Sequence, residues 1–206
     1  MANLRHKLLK VPGTQRTVTA EETFARAQPV AKSLGVTRLA DITGLDRIGI
    51  PTYSAVVPQS DDELSVYNGK GLRGIDAKTG ALMEAIERQT ALHSRLPIVE
   101  GSFEELRQNR AVLDPRDVKE ILAADYSATR TYSWVAGRDL MGDREILVPA
   151  KLAGYLWRDV PHPSCFAHAS TNGMAAGNIR EEAICQALWP GASTPCSRLS
   201  RPPMRA

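Results

Sequence analysis

Two carboxylates and an arginine lie within about one turn of a predicted helix over residues 75–93. Glu87 and Arg88 lie three and four residues after Glu84, which places all three on one side of that helix. Carboxylates one turn apart could hold Mg²⁺ together with phosphate oxygens and water. An exposed helix face with a Glu-to-Arg pair, which contributes about 0.2–0.5 kcal/mol, explains the same residues. Both interpretations stay open on this segment alone.

A short glycine-rich segment, Asn-Gly-Lys-Gly at 68–71, precedes this helix. Lys70, between two glycines at the end of a predicted strand, could approach a phosphate closely, with backbone N–H groups beside it. The segment is not a Walker A loop, because the GxxxxGK[ST] pattern is absent. A tight turn with an exposed lysine is the alternative, so the segment indicates an anion site only in combination with other residues.

A second loop and helix carry three polar residues at regular spacing. The loop over 170–177 is rich in small residues and glycine, and it leads into a helix that we expect to begin after Asn178, a favoured N-cap. Asn178, Glu182 and Gln186 are spaced i, i+4 and i+8, so they share one helical face. A glycine-rich loop that feeds a helix N-terminus favours anions. A capped surface helix is the other interpretation.

The elements that must position these residues predict a mixed α and β fold. The first helix, over 19–34, starts at a capping box formed by Thr19 and Glu22 and stops at Gly35, and Pro29 is expected to kink or divide it. The helix over 75–93 is expected to bury Ile75, Leu82, Ala85, Ile86 and Leu92. Strands are predicted over 50–57, 65–68, 131–136 and 146–150, with a hairpin at 142–143, and further helical turns over 103–108 and 116–122.

Composition narrows the class of protein. The chain has 206 residues, of which 43% are hydrophobic and 24% charged, as in ordinary soluble domains. No apolar run approaches the roughly 18 residues of a membrane-spanning helix, and the polar N-terminus lacks the apolar centre of a secretory signal. Three cysteines without a CxxC pair favour a reducing compartment and disfavour a zinc site. We therefore expect a cytoplasmic protein without a membrane partner.

The net charge of +3 belongs to the last 17 residues, 190–206, which hold three arginines, four prolines and no acidic residue. Acidic and basic residues balance over 1–189. This predicts one domain over 1–189, followed by a disordered tail over 190–206. Three dispersed arginines without aromatic residues are a weak signal for nucleic acid, so no nucleic-acid partner is expected. A nucleic-acid-binding tail is the alternative.

Taken together, four segments resemble the YcaO family. They are TRLADITGLDRIGIP at 37–51, SVYNGKG at 65–71, ALMEAIER at 81–88 and STNGMAAGNIREEAICQAL at 170–188. The first two look most like the thioamide-forming branch, which includes the type that modifies a glycine of methyl-coenzyme M reductase. The match resembles roughly the N-terminal half of a full member. It implies an α+β fold in which antiparallel strands back two helices that carry an ATP and Mg²⁺ site.

The resemblance implies ATP-dependent chemistry on a peptide backbone, as a post-translational modification. In this family a nucleophile attacks a main-chain carbonyl carbon, and the oxygen passes to the γ-phosphate of ATP. A sulfur donor then gives a thioamide, whereas a Cys, Ser or Thr side chain gives an azoline in ribosomal peptide biosynthesis. The implied partners are a peptide or protein substrate, a sulfur-donor or substrate-presenting protein, and further copies of the chain. A non-catalytic remnant or partner-binding module is the alternative outside enzymes.

The resemblance also implies roles for particular residues. Gly80 stands where the family usually has the serine of its Ser-xxx-Glu-xx-Glu-Arg motif, so one hydrogen bond to the nucleotide is missing. Glu84, Glu87 and Glu182 resemble the Mg²⁺-binding carboxylates. The residues that resemble nucleotide contacts are Arg16 and Thr23, in the places of an early Lys and Ser, the phosphate-contacting Arg88, and Asn178 and Gln186 on the second helix.

The resemblance stops at Trp189. The family helix continues through a second Glu-xx-Glu-Arg motif at positions that here hold Pro190, Ser193 and Thr194. Proline cannot continue the hydrogen bonding of a helix. This departure indicates a frameshift or a truncated gene product, and it predicts weaker nucleotide binding than in an intact homologue, with little or no turnover.

Overall fold

The computed structural model describes residues 16–118, 125–155, 171 and 173–188. Helices and groups of strands are interspersed along the chain, and every strand pairing within its sheets is antiparallel, which confirms the predicted α+β fold. The elements are α1 (Ala20–Ser33), β1 (Arg38–Asp41), β2 (Thr52–Val56), β3 (Val66–Lys70), α2 (Gly74–His93), β4 (Ile98–Ser102), α3 (Phe103–Leu106), β5 (Thr131–Asp139), β6 (Arg144–Pro149), α4 (Ala150–Ala153) and α5 (Arg180–Leu188). The predicted tail over 190–206 lies outside the described residues.

The chain divides into two compact units. The described part of the first is 16–90 with 173–188, and that of the second is 91–118 and 125–155 with 171. In the first unit, the strands lie in the order β1-β2-β3. Its core is formed by residues of α1, the sheet and α2, of which five are alanines that allow these elements to pack closely. The buried members are Ala27, Ala31, Ala55, Val57, Tyr67, Ala81, Leu82 and Ala85.

Helix α1 begins and ends as predicted but is not divided. The hydroxyl of Thr19 accepts the N–H of Glu22, and Gly35 follows the helix with a φ of +92°. Pro29 lies inside the continuous helix. The buried side chains of Ala27 and Ala31, on either side of the proline, hold α1 against the core. Packing therefore outweighs the hydrogen bond that the proline cannot donate.

Strand β3 is longer than predicted, because Asn68-Gly69 is not a turn. Gly69 pairs with Tyr53 and Lys70 pairs with Thr52, so the whole Asn-Gly-Lys segment is extended. A Cβ atom on Gly69 would overlap the carbonyl oxygen of Ala77 and the nitrogen of Ala81. Glycine is present here because the backbone of α2 passes directly over the strand.

The buried side of α2 agrees with the predicted one at Leu82, Ala85 and Leu92, whereas Ile75 and Ile86 are only partly buried. Three alanines and a glutamine at four-residue spacing are also fully buried. Near Gly69 the backbones of β3 and α2 approach so closely that small side chains are required on the helix. The buried row of alanines and glutamine is Ala77, Ala81, Ala85 and Gln89.

The second unit contains a sheet in the order β4-β5-β6, around a core of Phe103, Tyr132, Trp134 and Leu147. The predicted hairpin joins β5 and β6, with Asp143 at a φ of +47° in its turn. The helical segment expected over 103–108 is the single turn of α3. Only a 3₁₀ turn at Pro115–Asp117 forms in the described part of 116–122, since residues 119–124 lie outside the described ranges. None of the helices in the described ranges is long and apolar enough to cross a membrane.

Candidate active site

Helix α2 places Glu84 beside the end of β3, within the first unit. The side chain is half-buried, and the backbone N–H of Asn68 and the positive charges of Arg88 and Lys70 lie close enough to favour its ionised form. Burial is the stronger influence, so the pKa of Glu84 is raised above its ordinary value. A further cation beside Glu84 would stabilise the ionised form of its carboxylate.

Glu87 lies one turn along α2 and faces the loop that leads into α5. Burial and the negative charge of Glu84 raise its pKa, against the opposing effects of the Ala176 backbone N–H and Arg88. The loop before α5 and Glu87 of α2, far apart in sequence, therefore meet. Two neighbouring carboxylates with raised pKa values are an arrangement that a divalent cation would stabilise.

Two cations adjoin this carboxylate pair. Lys70, the last residue of β3, is exposed and acts on Glu84 at longer range. Arg88 is half-buried on α2, and its Nη1 atom is completely buried. A phosphate that approached the pair would thus lie near the exposed ammonium group of Lys70 and the partly buried guanidinium of Arg88.

Glu182 on α5 is the most enclosed of the three predicted metal ligands, with 2% of its side chain exposed. Its Oε1 accepts Nη1 of Arg16 at 2.9 Å and Nδ2 of Asn178 at 3.1 Å. Its Oε2 accepts the backbone N–H of Thr17 at 3.1 Å and the Thr17 hydroxyl at 2.8 Å. Two donors at each oxygen occupy the usual lone-pair positions of a carboxylate.

These contacts set the charge of Glu182. Burial raises its pKa, but the hydrogen bonds from Thr17, Arg16 and Asn178 together outweigh burial, and the pKa is lowered. Glu182 therefore stays ionised although it is buried, with Arg16 as its counter-ion.

Asn178 joins Thr23 of α1 to Glu182. Its Oδ1 accepts the Thr23 hydroxyl at 3.2 Å, while its Nδ2 donates to Glu182, one turn along the same helix face. The predicted N-cap role of Asn178 is wrong, because α5 begins at Arg180 and both ends of the amide serve these side-chain contacts. Gln186, one turn further along α5, is half-buried.

The predicted residues thus lie in two groups. Within the described ranges, no three His, Cys, Asp or Glu side chains gather closely enough to hold a metal ion. The oxygens of Glu182 are bound instead by Arg16, Thr17 and Asn178. One group is Arg16, Thr23, Asn178 and Glu182, and the other is Lys70, Glu84, Glu87 and Arg88.

Thr17 was not predicted. It lies 165 positions from Glu182, and nothing in the local sequence indicates that it would bind a carboxylate. The contact becomes visible only in the structure, where α5 lies beside the segment before α1.

The α2 pair offers the donor chemistry of a Mg²⁺ site. Mg²⁺ prefers carboxylate oxygens in combination with phosphate and water, and burial of both carboxylates favours a neutralising cation. The cationic groups of Lys70 and Arg88 offer complementary positions for phosphate. These residues fit a nucleotide with its metal.

The chain belongs to the YcaO family. The family described as YcaO cyclodehydratase, ATP- and Mg²⁺-binding, matches residues 68–189, which contain the α2 carboxylates and α5. An uncharacterised protein of Methanothermobacter thermautotrophicus is 36% identical over 176 residues, covering 84% of this chain and 44% of that protein. An uncharacterised protein encoded in the tfuA 3′ region of Rhizobium leguminosarum bv. trifolii is 33% identical, covering 84% and 40% respectively.

Solved structures show the same fold. The YcaO protein of Methanopyrus kandleri, bound with AMPPCP and Mg²⁺, has a TM-score of 0.61 and 27% identity and covers 84% of this chain and 42% of that chain. A heterocyclase in complex with substrate and cofactor has a TM-score of 0.68 and 22% identity, and the match covers 88% of this chain and 29% of that chain. At this identity the likeness shows the fold alone. The chain therefore spans less than half the length of these relatives.

Proposed function

We propose that this chain forms the nucleotide-binding part of a YcaO enzyme that uses ATP and Mg²⁺ to activate a peptide backbone amide, leading to a thioamide. The observation that carries the proposal is that Glu84 lies against β3 while Glu87, one turn along α2, contacts the loop before α5. Burial raises the pKa of both carboxylates, and Ala176 directs a backbone N–H at Glu87. Family membership and the nucleotide-bound structure of a relative support it.

Residue roles follow from position and chemistry. Glu84 and Glu87 hold Mg²⁺ from α2, and Glu182 joins them if its present donors give up one oxygen. Arg88 and Lys70 bind phosphate oxygens beside this metal. The remaining nucleotide contacts are Arg16, Thr23, Asn178 and Gln186, of which the first three already form one hydrogen-bonded group around Glu182.

The chemistry requires a better leaving group than an amide oxygen. ATP supplies the phosphoryl group for that oxygen, and Mg²⁺ offsets the phosphate charge. The chain's own residues position the phosphates and stabilise negative charge on them, mainly through Arg88 and backbone N–H groups. Replacement of the oxygen by sulfur releases phosphate, so the balanced reaction consumes ATP, a sulfide donor and the amide and yields ADP, phosphate and the thioamide.

The thioamide product, as against an azoline, rests on the likeness of residues 37–51 and 65–71 to the thioamide-forming branch. The peptide substrate, a sulfur-donor or substrate-presenting protein, self-association and a cytoplasmic setting belong to the same proposal. Positions 190–194 carry no Glu-xx-Glu-Arg motif. We therefore expect this chain to bind nucleotide and to turn it over slowly.

Calorimetry with AMPPCP and Mg²⁺ tests the binding site. We expect the wild-type chain to bind, and the Glu84→Gln/Glu87→Gln variant to lose at least about tenfold in affinity, or about 1.4 kcal/mol. The matched control is Glu104→Gln/Glu105→Gln, which removes two carboxylates of α3 in the second unit. Equal affinity of the wild type and the α2 variant would reject the site.

Product analysis separates the two reactions. A reaction with ATP, sulfide and a candidate peptide gives a mass gain of about 16 Da for a thioamide, because sulfur replaces oxygen. Azoline formation instead loses one water and needs no sulfur donor. Loss of water without sulfide would contradict the thioamide assignment while leaving the nucleotide site intact.

A further inference from the structure

We propose that Glu182 is a positioning residue for Arg16: its buried carboxylate holds one nitrogen of the guanidinium and thereby orients the other N–H groups for a phosphate of the nucleotide. The inference rests on the proposed function, which counts Arg16 among the nucleotide contacts. It gives Glu182 a role that acts through Arg16 and not through a metal ion.

The surroundings of Glu182 are those of a bound anion. Its two oxygens accept hydrogen bonds from a guanidinium, a side-chain amide, a hydroxyl and a backbone N–H. Within the described ranges, Glu182 belongs to no group of three His, Cys, Asp or Glu side chains. A second cation would have to displace one of these donors and lie beside the positive charge of Arg16, which repels it. The lining therefore suits a carboxylate that keeps its present partners.

The carboxylate of Glu182 is held in place by two other residues. Thr17 donates to Oε2 from its backbone nitrogen at 3.1 Å and from its hydroxyl at 2.8 Å. Nδ2 of Asn178 donates to Oε1 at 3.1 Å. Only 2% of the Glu182 side chain is exposed. These contacts restrain the rotation of the carboxylate, so Oε1 offers Arg16 an acceptor at a fixed position.

Arg16 uses one of its nitrogens for this contact. Nη1 donates to Oε1 of Glu182 at 2.9 Å, and within the described ranges its side chain has no other hydrogen bond or ion pair. A guanidinium carries five N–H donors in one plane, so most of them are available to another acceptor. The Arg16 side chain is 38% exposed, so a ligand can reach these donors from solution. Phosphate oxygens match the planar arrangement of such donors.

Glu182 has two opposite effects on phosphate binding at Arg16. An arginine that is already held loses less side-chain freedom when it binds, which favours phosphate. The negative charge of the carboxylate repels phosphate. We expect orientation to outweigh repulsion, because the donors of Thr17 and Asn178 already engage that negative charge. The two effects predict changes of opposite sign when the carboxylate is replaced.

Glu182→Gln removes the orientation of Arg16 while leaving its charge. The two donors of Thr17 need an acceptor, so the amide oxygen should face Thr17 and the NH₂ group should face Arg16, which then has no acceptor. The series consists of Glu182→Gln, Arg16→Gln and the Arg16→Gln/Glu182→Gln double variant. Glu181→Gln, at the exposed neighbouring residue, is the matched control. Thermal melting checks the folding of each variant.

Three affinities are measured. For AMPPCP with saturating Mg²⁺, by calorimetry, we expect Glu182→Gln and Arg16→Gln each to lose about tenfold, the size of one hydrogen bond to a charged group. The double variant should lose no more than Arg16→Gln alone, because Glu182 acts through Arg16. For Mn²⁺ with AMPPCP-saturated protein, by electron paramagnetic resonance, Glu182→Gln should equal the wild type, whereas Glu84→Gln should bind at least about tenfold more weakly. For adenosine, which has no phosphate, the shift in melting temperature should be the same in every variant.

Each competing role of Glu182 has its own result, and each result would overturn the inference. Weaker Mn²⁺ binding in Glu182→Gln would indicate a metal ligand, and an equal loss with adenosine would indicate a structural tie. Unchanged or tighter AMPPCP binding, or additive losses in the double variant, would show that the carboxylate does not orient Arg16. If Glu182→Gln does not melt cooperatively, Thr17→Val, which removes one donor to Oε2, takes its place. Failure of the wild type to bind AMPPCP with Mg²⁺ would instead reject the proposed function.

Discussion

Gly69 of β3 and Gly80 of α2 face each other with no side chain between their backbones. A Cβ atom on Gly80 would lie 3.3 Å from the Cα of Gly69, whereas one on Gly69 would overlap backbone atoms of α2. This contact brings α2 against β3 just before Glu84, which is why that carboxylate meets the backbone N–H of Asn68. The close packing of two glycines thus determines the position of the proposed metal ligand.

The two glycines are predicted to differ in their tolerance of alanine. Gly69→Ala forces helix and strand backbones apart, so we expect a loss of at least about 1–3 kcal/mol in the free energy of unfolding. Gly80→Ala needs a shift of a few tenths of an ångström and gains roughly 0.5–1 kcal/mol of helix propensity, so its net effect should be small. Urea denaturation of both variants measures the difference. Equal destabilisation would contradict the close contact.

Glu87→Gln is predicted to stabilise the metal-free protein at neutral pH. The pKa of Glu87 is raised from 4.5, first by burial and then by Glu84, so the folded state holds its proton more tightly than the unfolded state. The ionised Glu87 therefore lowers the free energy of unfolding. This destabilisation is fully present above the raised pKa and disappears as the pH falls through that pKa towards 4.5. We expect the variant to melt about 2–4 °C higher at pH 7, with a gain that shrinks on acidification.

The control for this effect is Glu104→Gln, which removes a partly exposed carboxylate from α3. Its melting temperature should follow that of the wild type at every pH. With Mg²⁺ and AMPPCP, the wild type should melt at a higher temperature than Glu87→Gln, because only the wild type keeps both metal-binding carboxylates. An unchanged order with ligand would count against a metal at Glu87.

Glu182→Gln is predicted to have the opposite effect on stability. Burial raises the pKa of Glu182, but the bonds from Thr17, Arg16 and Asn178 lower it below 4.5 overall, so the charged form stabilises the fold above pH 4.5. We expect a loss of roughly 2–3 kcal/mol at pH 7, because the variant leaves Arg16 and Thr17 without their charged partner. The difference from the wild type disappears as the pH falls through the lowered pKa.

Glu181→Gln offers a neighbouring control on α5. Glu181 is exposed, so its replacement should change the free energy of unfolding by no more than about 0.5 kcal/mol. Chemical denaturation between pH 3 and 7 distinguishes the two variants. A similar loss in both would show that the contacts of Glu182 contribute little.

The sequence predicted those parts of the site that depend on local geometry. The spacing of Glu84, Glu87 and Arg88 requires only the helical repeat, and the shared face of Asn178 and Glu182 requires the same repeat in α5. Both helices formed where they were expected. The fold class followed from the alternation of helical and extended segments and from the family resemblance.

The errors occurred where long-range packing outweighs local preference. Asn68-Gly69 is typical of a turn, but α2 requires a glycine at that point of an extended strand. Pro29 is typical of a helix break, but α1 continues through it because the alanines on either side are buried against the core. The contact of Thr17 with Glu182 joins residues 165 positions apart, so no local sequence pattern could predict it. The strands β1 and β4 were also not predicted, because they are short and lack a long β-branched run.

Tyr67→Phe is predicted to destabilise the first unit more than Tyr53→Phe, although both tyrosines lie on neighbouring strands. The buried Tyr67 hydroxyl accepts a hydrogen bond from Nε2 of Gln89 at 2.8 Å and lies 3.0 Å from Oδ2 of Asp62. Phenylalanine would remove both of these contacts, at a cost of about 1–3 kcal/mol. The Tyr53 hydroxyl donates to Asp41 at 2.7 Å in an exposed position, where water replaces the bond and the loss should stay below about 0.5 kcal/mol. Urea unfolding of the two single variants measures this difference. Equal costs would mean that the Tyr67 hydroxyl adds nothing to the packing that holds α2 and its carboxylates against β3.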